Sequence, residues 1–244
     1  LSQNDALMAI DWKRYIPKEL YSTIAPKGAA LMIGNSFTGF SYNTKLVKDA
    51  PTTFEGLLKP EWKGRIGTTP YAAFYPYIAI LAGQDQFAKF AEQFLENVGG
   101  VLRCSDGDNA VVSGQFAMFG FVCSPDTILE MKGKGAPVDF AAFTSVKIMT
   151  SQYIAIPKKS KSPNLATLVA IFLQTNEGYR IMKETENLQG LYLQPGTAAN
   201  ARYQNLSKDG SAPKLIDAQF VLENIDAINH LEKLFQNKIR ATGK

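Results

Sequence analysis

Apolar and polar residues alternate along this chain with two different periods. Between residues 84 and 98 the apolar side chains Phe87, Phe90, Ala91, Phe94 and Leu95 recur every three or four positions. That spacing lines one face of a helix, and Gly99-Gly100 is expected to stop it. Shorter β-rich runs at 63–68, 101–104, 115–122, 138–143 and 148–156 read as strands. Residues 29–42 also read as extended, interrupted at Gly34-Asn35. After Pro51, Thr52 and Glu55 have capping-box spacing and predict a short helix to Leu58. A helix is expected over 71–81, kinked or divided by Pro76. Further helices are predicted from Ser105-Asp106 through Val112 and from Ser124-Pro125-Asp126 through Met131. The pattern continues with helices at 164–173, 177–186 and 217–239, the last built on Phe220, Val221, Ile225, Ile228, Leu231 and Leu234. Short strands alternating with longer amphipathic segments predict an α/β fold with mainly parallel strands.

Polar residues collect where those strands hand over to helices. Thr68-Thr69-Pro70-Tyr71, Ser105-Asp106 and Ser124-Pro125-Asp126 each follow a strand and open a helix. In an open α/β sheet such junctions gather at the carboxyl edge of the strands, where ligands bind. Free N–H groups at helix starts favour an anionic ligand group there. Each junction taken singly reads equally as an ordinary helix cap.

The 244 residues suffice for one large domain or two small ones, and an apolar fraction of 45% supplies a core. The net charge of +4 is mild and spread out, apart from Lys158-Lys159-Ser160-Lys161 and the C-terminal Lys238, Arg240 and Lys244. This is a solvated surface rather than the concentrated stripe of a nucleic-acid reader. No apolar run approaches the ~18–20 residues of a membrane-spanning helix. The chain opens at Leu1 without an initiator Met or a signal-like segment, as a processed or incomplete N-terminus would. Cys104 and Cys123 are compatible with one disulfide or with two thiols. A further strand lying between theirs would hold the sulfurs too far apart to bond.

Catalytic chemistry finds little support. The one histidine, His230, falls on the C-terminal helix and belongs to no motif, so it reads as a surface residue. HExxH, CxxC, P-loop and GxGxxG patterns do not occur. Asp106 and Asp108 read as capping residues rather than a carboxylate pair. The sequence therefore points to a binding protein without catalytic residues, resident metal or cofactor.

Several segments resemble a known family. Tyr42-Asn43-Thr44, then 51–58 (PTTFEGLL) and 59–67 (KPEWKGRIG), are similar to a segment of type II periplasmic solute-binding proteins of bacterial ABC importers, in their ferric and phosphonate branch. Ser113-Gly114-Gln115, Gly135-Ala136-Pro137-Val138-Asp139, the FLQTNEGYRIM helix, and Gly190 with Leu193-Gln194-Pro195-Gly196 extend the resemblance over about residues 29–205. The resemblance implies two α/β lobes joined by crossing strands, with solute trapped as the lobes close. Residues 1–60 would hold lobe 1 and the first crossing, 65–148 lobe 2, and 152–244 the return to lobe 1 with the C-terminal helices. Lobe 1 would lack its opening βα units, which would leave a sheet edge and an apolar face uncovered.

Site residues follow from the resemblance and the junctions together. Lobe 2 would contribute Thr68, Thr69, Tyr71, Ser105, Asp106, Cys123 and Ser124. Asn35 and Ser36 at the Gly34–Ser36 kink would serve from lobe 1, and Tyr153 from the return strand. Ferric-binding members use two adjacent tyrosines, and this chain has no Tyr-Tyr pair. A small organic solute with an anionic group fits the helix starts better, with a ferric ion or a sensing role within a receptor or regulator as the alternatives. Tyr71 and Tyr75, four apart, could share a helix face, a spacing that also serves packing. The implied partners are a small solute and an inner-membrane ABC permease, with no nucleic acid, for a monomer in the periplasm or anchored outside a Gram-positive cell.

Overall fold

The computed structural model describes residues 6–18, 25, 29–121, 124–186 and 190–244. Among these residues eight strands and ten α-helices follow in chain order. They are β1 (Ala30–Phe37), β2 (Gly39–Asn43), α1 (Phe54–Leu57), β3 (Ile66–Thr68), α2 (Tyr75–Ala82), α3 (Gln84–Asn97) and β4 (Val98–Val101). Next come α4 (Cys104–Ser113), β5 (Met118–Gly120), α5 (Pro125–Gly133), β6 (Val138–Ala142) and β7 (Ile148–Ala155). The remainder is helical apart from one strand: α6 (Pro163–Phe172), α7 (Asn176–Glu186), α8 (Ala198–Leu206), β8 (Lys214–Ile216), α9 (Ala218–Glu223) and α10 (Ile225–Ala241).

The chain forms two compact units. Unit 1 takes the described residues up to Ser36, Thr150–Ser211 and Asp217–Gln219; unit 2 takes Phe37–Met149, Ala212–Ile216 and Phe220–Lys244. The main transfers fall inside strands, at Ser36/Phe37 in β1 and Met149/Thr150 in β7. These units divide the chain near residue 37 rather than 60. They also keep α10 in unit 2, whereas the sequence reading sends residues 152–244 back to lobe 1 as a block. The reason is packing: α10 lies against α2 and α3, with Phe235 5.2 Å from the Tyr75 ring and 5.5 Å from Phe87. Lys244 Nζ adds hydrogen bonds to the carbonyls of Leu95 (3.0 Å) and Glu96 (3.1 Å) at the end of α3.

Unit 2 is built on a five-stranded sheet in the order β4-β3-β5-β2-β6. β3 runs parallel to both β4 and β5, whereas β2 runs antiparallel to β5 and β6. One face carries Ile66, Met118 and Phe40 into an aromatic core with Tyr75, Phe87, Phe90, Phe94, Phe121 and Phe143. On the other face a row of register partners runs Gly67–Phe119–Ser41–Phe140. α4 and α5 cover it, burying Val111 and Ile128 against Phe119. Gly107 lets α4 approach so closely that a Cβ there would stand 2.3 Å from the Phe119 ring.

Unit 1 pairs β1 with β7 and carries α6, α7 and α8. Gly190 takes φ 71°, which glycine tolerates, and leaves room for the Tyr179 ring, 2.7 Å from any Cβ placed there. Tyr179 Oη accepts from Ala198 N (2.9 Å) at the start of α8, where Thr197 caps Asn200 N at 3.1 Å.

Several boundaries depart from the sequence reading. Gly34-Asn35 does not interrupt β1; the break falls at Thr38. The helix-stopping Gly99-Gly100 instead lies inside β4, because a Cβ at Gly99 would meet Gly64 O at 2.2 Å and only glycine permits that approach. Pro76 neither kinks nor divides α2 but sits in its first turn, where its missing N–H costs nothing. Thr53, not Thr52, caps α1, accepting from Gly56 N. The single helix expected over 217–239 is two, α9 and α10, and α8 and β8 carried no periodic signal.

Candidate functional site

The parallel trio β4-β3-β5 places three strand-to-helix junctions on one edge of the unit 2 sheet. Thr68 ends β3, and its carbonyl accepts from Leu102 N at 2.9 Å, which ties this junction to the approach to α4. Thr68 is fully buried beside Tyr75, whose burial raises its phenol well above the usual range; the Thr68 side chain therefore faces the core. Thr69 is also buried, and its Oγ1 accepts from Tyr71 N (3.2 Å) to shape the turn. Tyr71 projects to solvent, 51% exposed, and precedes α2 instead of belonging to it. It therefore shares no helix face with the buried Tyr75.

Ser105 and Asp106 are exposed and lie in the first turn of α4. They were expected as caps, but the helix starts a residue before them, at Cys104, with Arg103 in the cap position and no side-chain cap. α5 opens with Ser124 in the cap position, again without a side-chain hydrogen bond, followed by Pro125. Two helix starts on one sheet edge thus lack side-chain caps over their first N–H groups. Phe121, just beyond β5 on this edge, takes φ 58°, an unusual conformation for a bulky residue.

Cys104 is disulfide-bonded, and the described residues include no free cysteine. β3 does lie between β4 and β5, as the argument against a bond required. Cys104 itself opens α4 instead of ending a strand. Cys123, the other cysteine of the sequence, lies outside the described residues, as does any role for it at this edge.

In unit 1 the expected residues are differently placed. Asn35 is completely buried and its side chain is in use: Nδ2 faces Thr150 O at 3.4 Å, and Oδ1 accepts from Tyr192 N at 3.0 Å. Ser36 is buried in β1 as well. The kink that singled out these two residues is absent, because the strand runs on through them. Tyr153 is half-buried on β7, and its Oη accepts from Ala218 N at 3.2 Å. Burial, more than the nearby Asp217, pushes its phenol up. The sequence reading passed over Asp108, a buried carboxyl on α4, because its place in an SDGD run looked like capping. His230 is exposed on α10. Among the described residues no group of three His, Cys, Asp or Glu is arranged to hold a metal ion.

This arrangement can be set beside known proteins. The profile of the bacterial extracellular solute-binding protein family matches residues 9–224. The chain belongs to that family. Its fold is the α/β fold of two-lobed binding proteins. Iron-bound HitA from Pseudomonas aeruginosa is 20% identical with a TM-score of 0.73, aligning 95% of this chain with 78% of HitA. An ABC-transporter substrate-binding protein from Agrobacterium tumefaciens is 15% identical with a TM-score of 0.74, over 98% of this chain and 74% of the other. The periplasmic binding protein AfuA from Actinobacillus pleuropneumoniae, solved with fructose-6-phosphate, is 18% identical with a TM-score of 0.70, over 98% and 78%. No curated protein matches by sequence. The family is one of extracellular solute-binding proteins, and the solved neighbours share its fold. No helix among the described residues is long and apolar enough to cross a membrane.

Proposed function

We propose that this protein captures one small organic solute bearing an anionic group and delivers it to an inner-membrane ABC permease, acting as a monomer. The two units serve as the family's two lobes. The observation that carries the reading is the pair of uncapped helix starts, α4 and α5, at the carboxyl edge of β4-β3-β5. Their first-turn N–H groups point a positive end at that edge, where a carboxylate, phosphate or phosphonate is held without a basic side chain. Ser105 and Ser124 add hydroxyls, Tyr71 an exposed ring, and the Thr68–Thr69 turn backbone groups. From unit 1, Tyr153 is the candidate contact, whereas Asn35 and Ser36 are buried in β1.

One observation favours a second reading. Asp106 and Asp126 stand in the first turns of α4 and α5, so each helix start already has a carboxylate beside it. A cationic solute would use Asp106 and the Tyr71 ring instead. Iron, bound by HitA, has no two consecutive tyrosines to receive it here.

Native mass spectrometry of the purified protein decides among these. A retained molecule reveals its mass, and Asp106→Asn then tightens an anionic solute but weakens a cationic one. Turnover of a substrate panel with nothing retained would overturn the binding reading.

A further inference from the structure

Beneath the opening turn of α4 lies an ionisable group that solute capture does not itself use. Asp108 is only 4% exposed, and its Oδ1 is sealed from solvent with no hydrogen-bond partner. It sits on the inner face of α4, between Gly107, which touches the Phe119 ring, and Ala110-Val111, which join the same cluster. Ser41, in the Phe119 row of β2, has a buried Oγ that is likewise unpartnered.

The elements packed on α4 bring few charges. β5 carries no titratable residue, β2 carries Tyr42, β6 carries Asp139, α5 carries Asp126, Glu130 and Lys132, and α4 itself adds Asp106. Lys132 Nζ donates to Asp139 Oδ2 at 2.7 Å, and Tyr42 is raised by burial and by Asp139, so these three act on one another. Burial alone acts on Asp108, holding its carboxyl up at about 7.

We propose that Asp108 is a proton switch on the solute site: neutral, it lets α4 lie against the sheet, and ionised, it strains the opening turn and weakens solute binding. An ionised carboxylate with one oxygen sealed from water and from any donor is costly to bury. Relief requires α4 to move so that water or a donor reaches Oδ1. The helix is tethered at both ends of the affected stretch, by the disulfide at Cys104 and by Asn43 Nδ2 donating to Val111 O at 2.8 Å. The strain is therefore delivered between them, to the stretch that carries Ser105 and Asp106. The switch rests on the reading that this turn contacts solute.

Amide hydrogen exchange from about pH 6 to 8, corrected for the intrinsic rate, tests the first half without any ligand. The wild type is expected to lose protection across residues 104–111 relative to 84–97 as pH rises, while Asp108→Asn and Asp108→Ala hold it constant. Affinity for the co-purifying solute, or for inorganic phosphate where none is retained, tests the second half. It is expected to fall by up to about tenfold per pH unit above the midpoint in the wild type only. A flat exchange profile, or one that both variants share with the wild type, overturns the switch and leaves the binding reading standing. An Asp108-dependent exchange step with pH-independent affinity overturns the switch too, and removes α4 from the solute contacts.

Discussion

Two helices with different apolar patterns meet different surroundings in this protein. α3 in unit 2 sets Phe87, Phe90, Ala91, Phe94 and Leu95 on one buried face, opposite its polar residues. α6 in unit 1 is apolar almost all round, yet only Ala170 is buried; Leu165 is 60% and Leu168 62% exposed, with Val169 and Phe172 also open. A segregated stripe needs cover on one side, and α2, α10 and the sheet supply it. A helix apolar all round needs cover on every side, and α6 has it on one. The comparison teaches that the apolar stripe states a demand, while the neighbours decide whether it is met.

Truncation in the well-covered region should have the largest effect. Phe94→Ala removes a fully buried ring that packs edge-on to Phe121, and should cost ~3–5 kcal/mol in chemical denaturation. A loss below about 1 kcal/mol would show that unit 2 is packed no better than unit 1. Next in size, reducing the Cys104 disulfide should lower stability by ~2–4 kcal/mol, read as the shift in denaturation midpoint with and without reductant.

The third concerns pH. Burial raises the Asp108 carboxyl from its ordinary 3.8 to about 7, so the folded protein holds a proton that the unfolded chain releases. Its stabilising contribution is complete below the unfolded value and is lost as pH rises through 7. The expected slope is at most about 1.4 kcal/mol per pH unit between those values. Asp108→Asn should flatten that part of the profile. The smallest effect is expected on α6: Leu168→Lys exchanges a solvent-facing apolar side chain for a charged one and should change stability by no more than about 0.5 kcal/mol. A loss above 2 kcal/mol would mean that this face is covered in solution.

Much of the architecture was legible beforehand. The stripe from Phe87 to Leu95 marked α3 to within a residue, and the Ser124-Pro125 step marked the start of α5. The three strand-to-helix junctions could be placed on one edge because alternating strands and helices imply parallel strands. The burial of Thr68 and Asn35 is hidden in the sequence for a common reason. A polar residue near a strand end looks available, and burial depends on what lies opposite: Tyr75 for the one, Thr150 and Tyr192 for the other. α8 and β8 went unseen because α8 has weak segregation and β8 only three residues.

By itself the sequence determined the order of the elements, the buried face of each strongly amphipathic helix, and the family, because periodicity, caps and motifs act over a few neighbouring residues. The tertiary structure alone decided that α10 closes unit 2, that Cys104 reaches a disulfide from a helix start, and that the Asp of an apparent capping run is a buried carboxyl. Each of those depends on groups far apart in sequence, and only the folded chain brings them within a few ångströms.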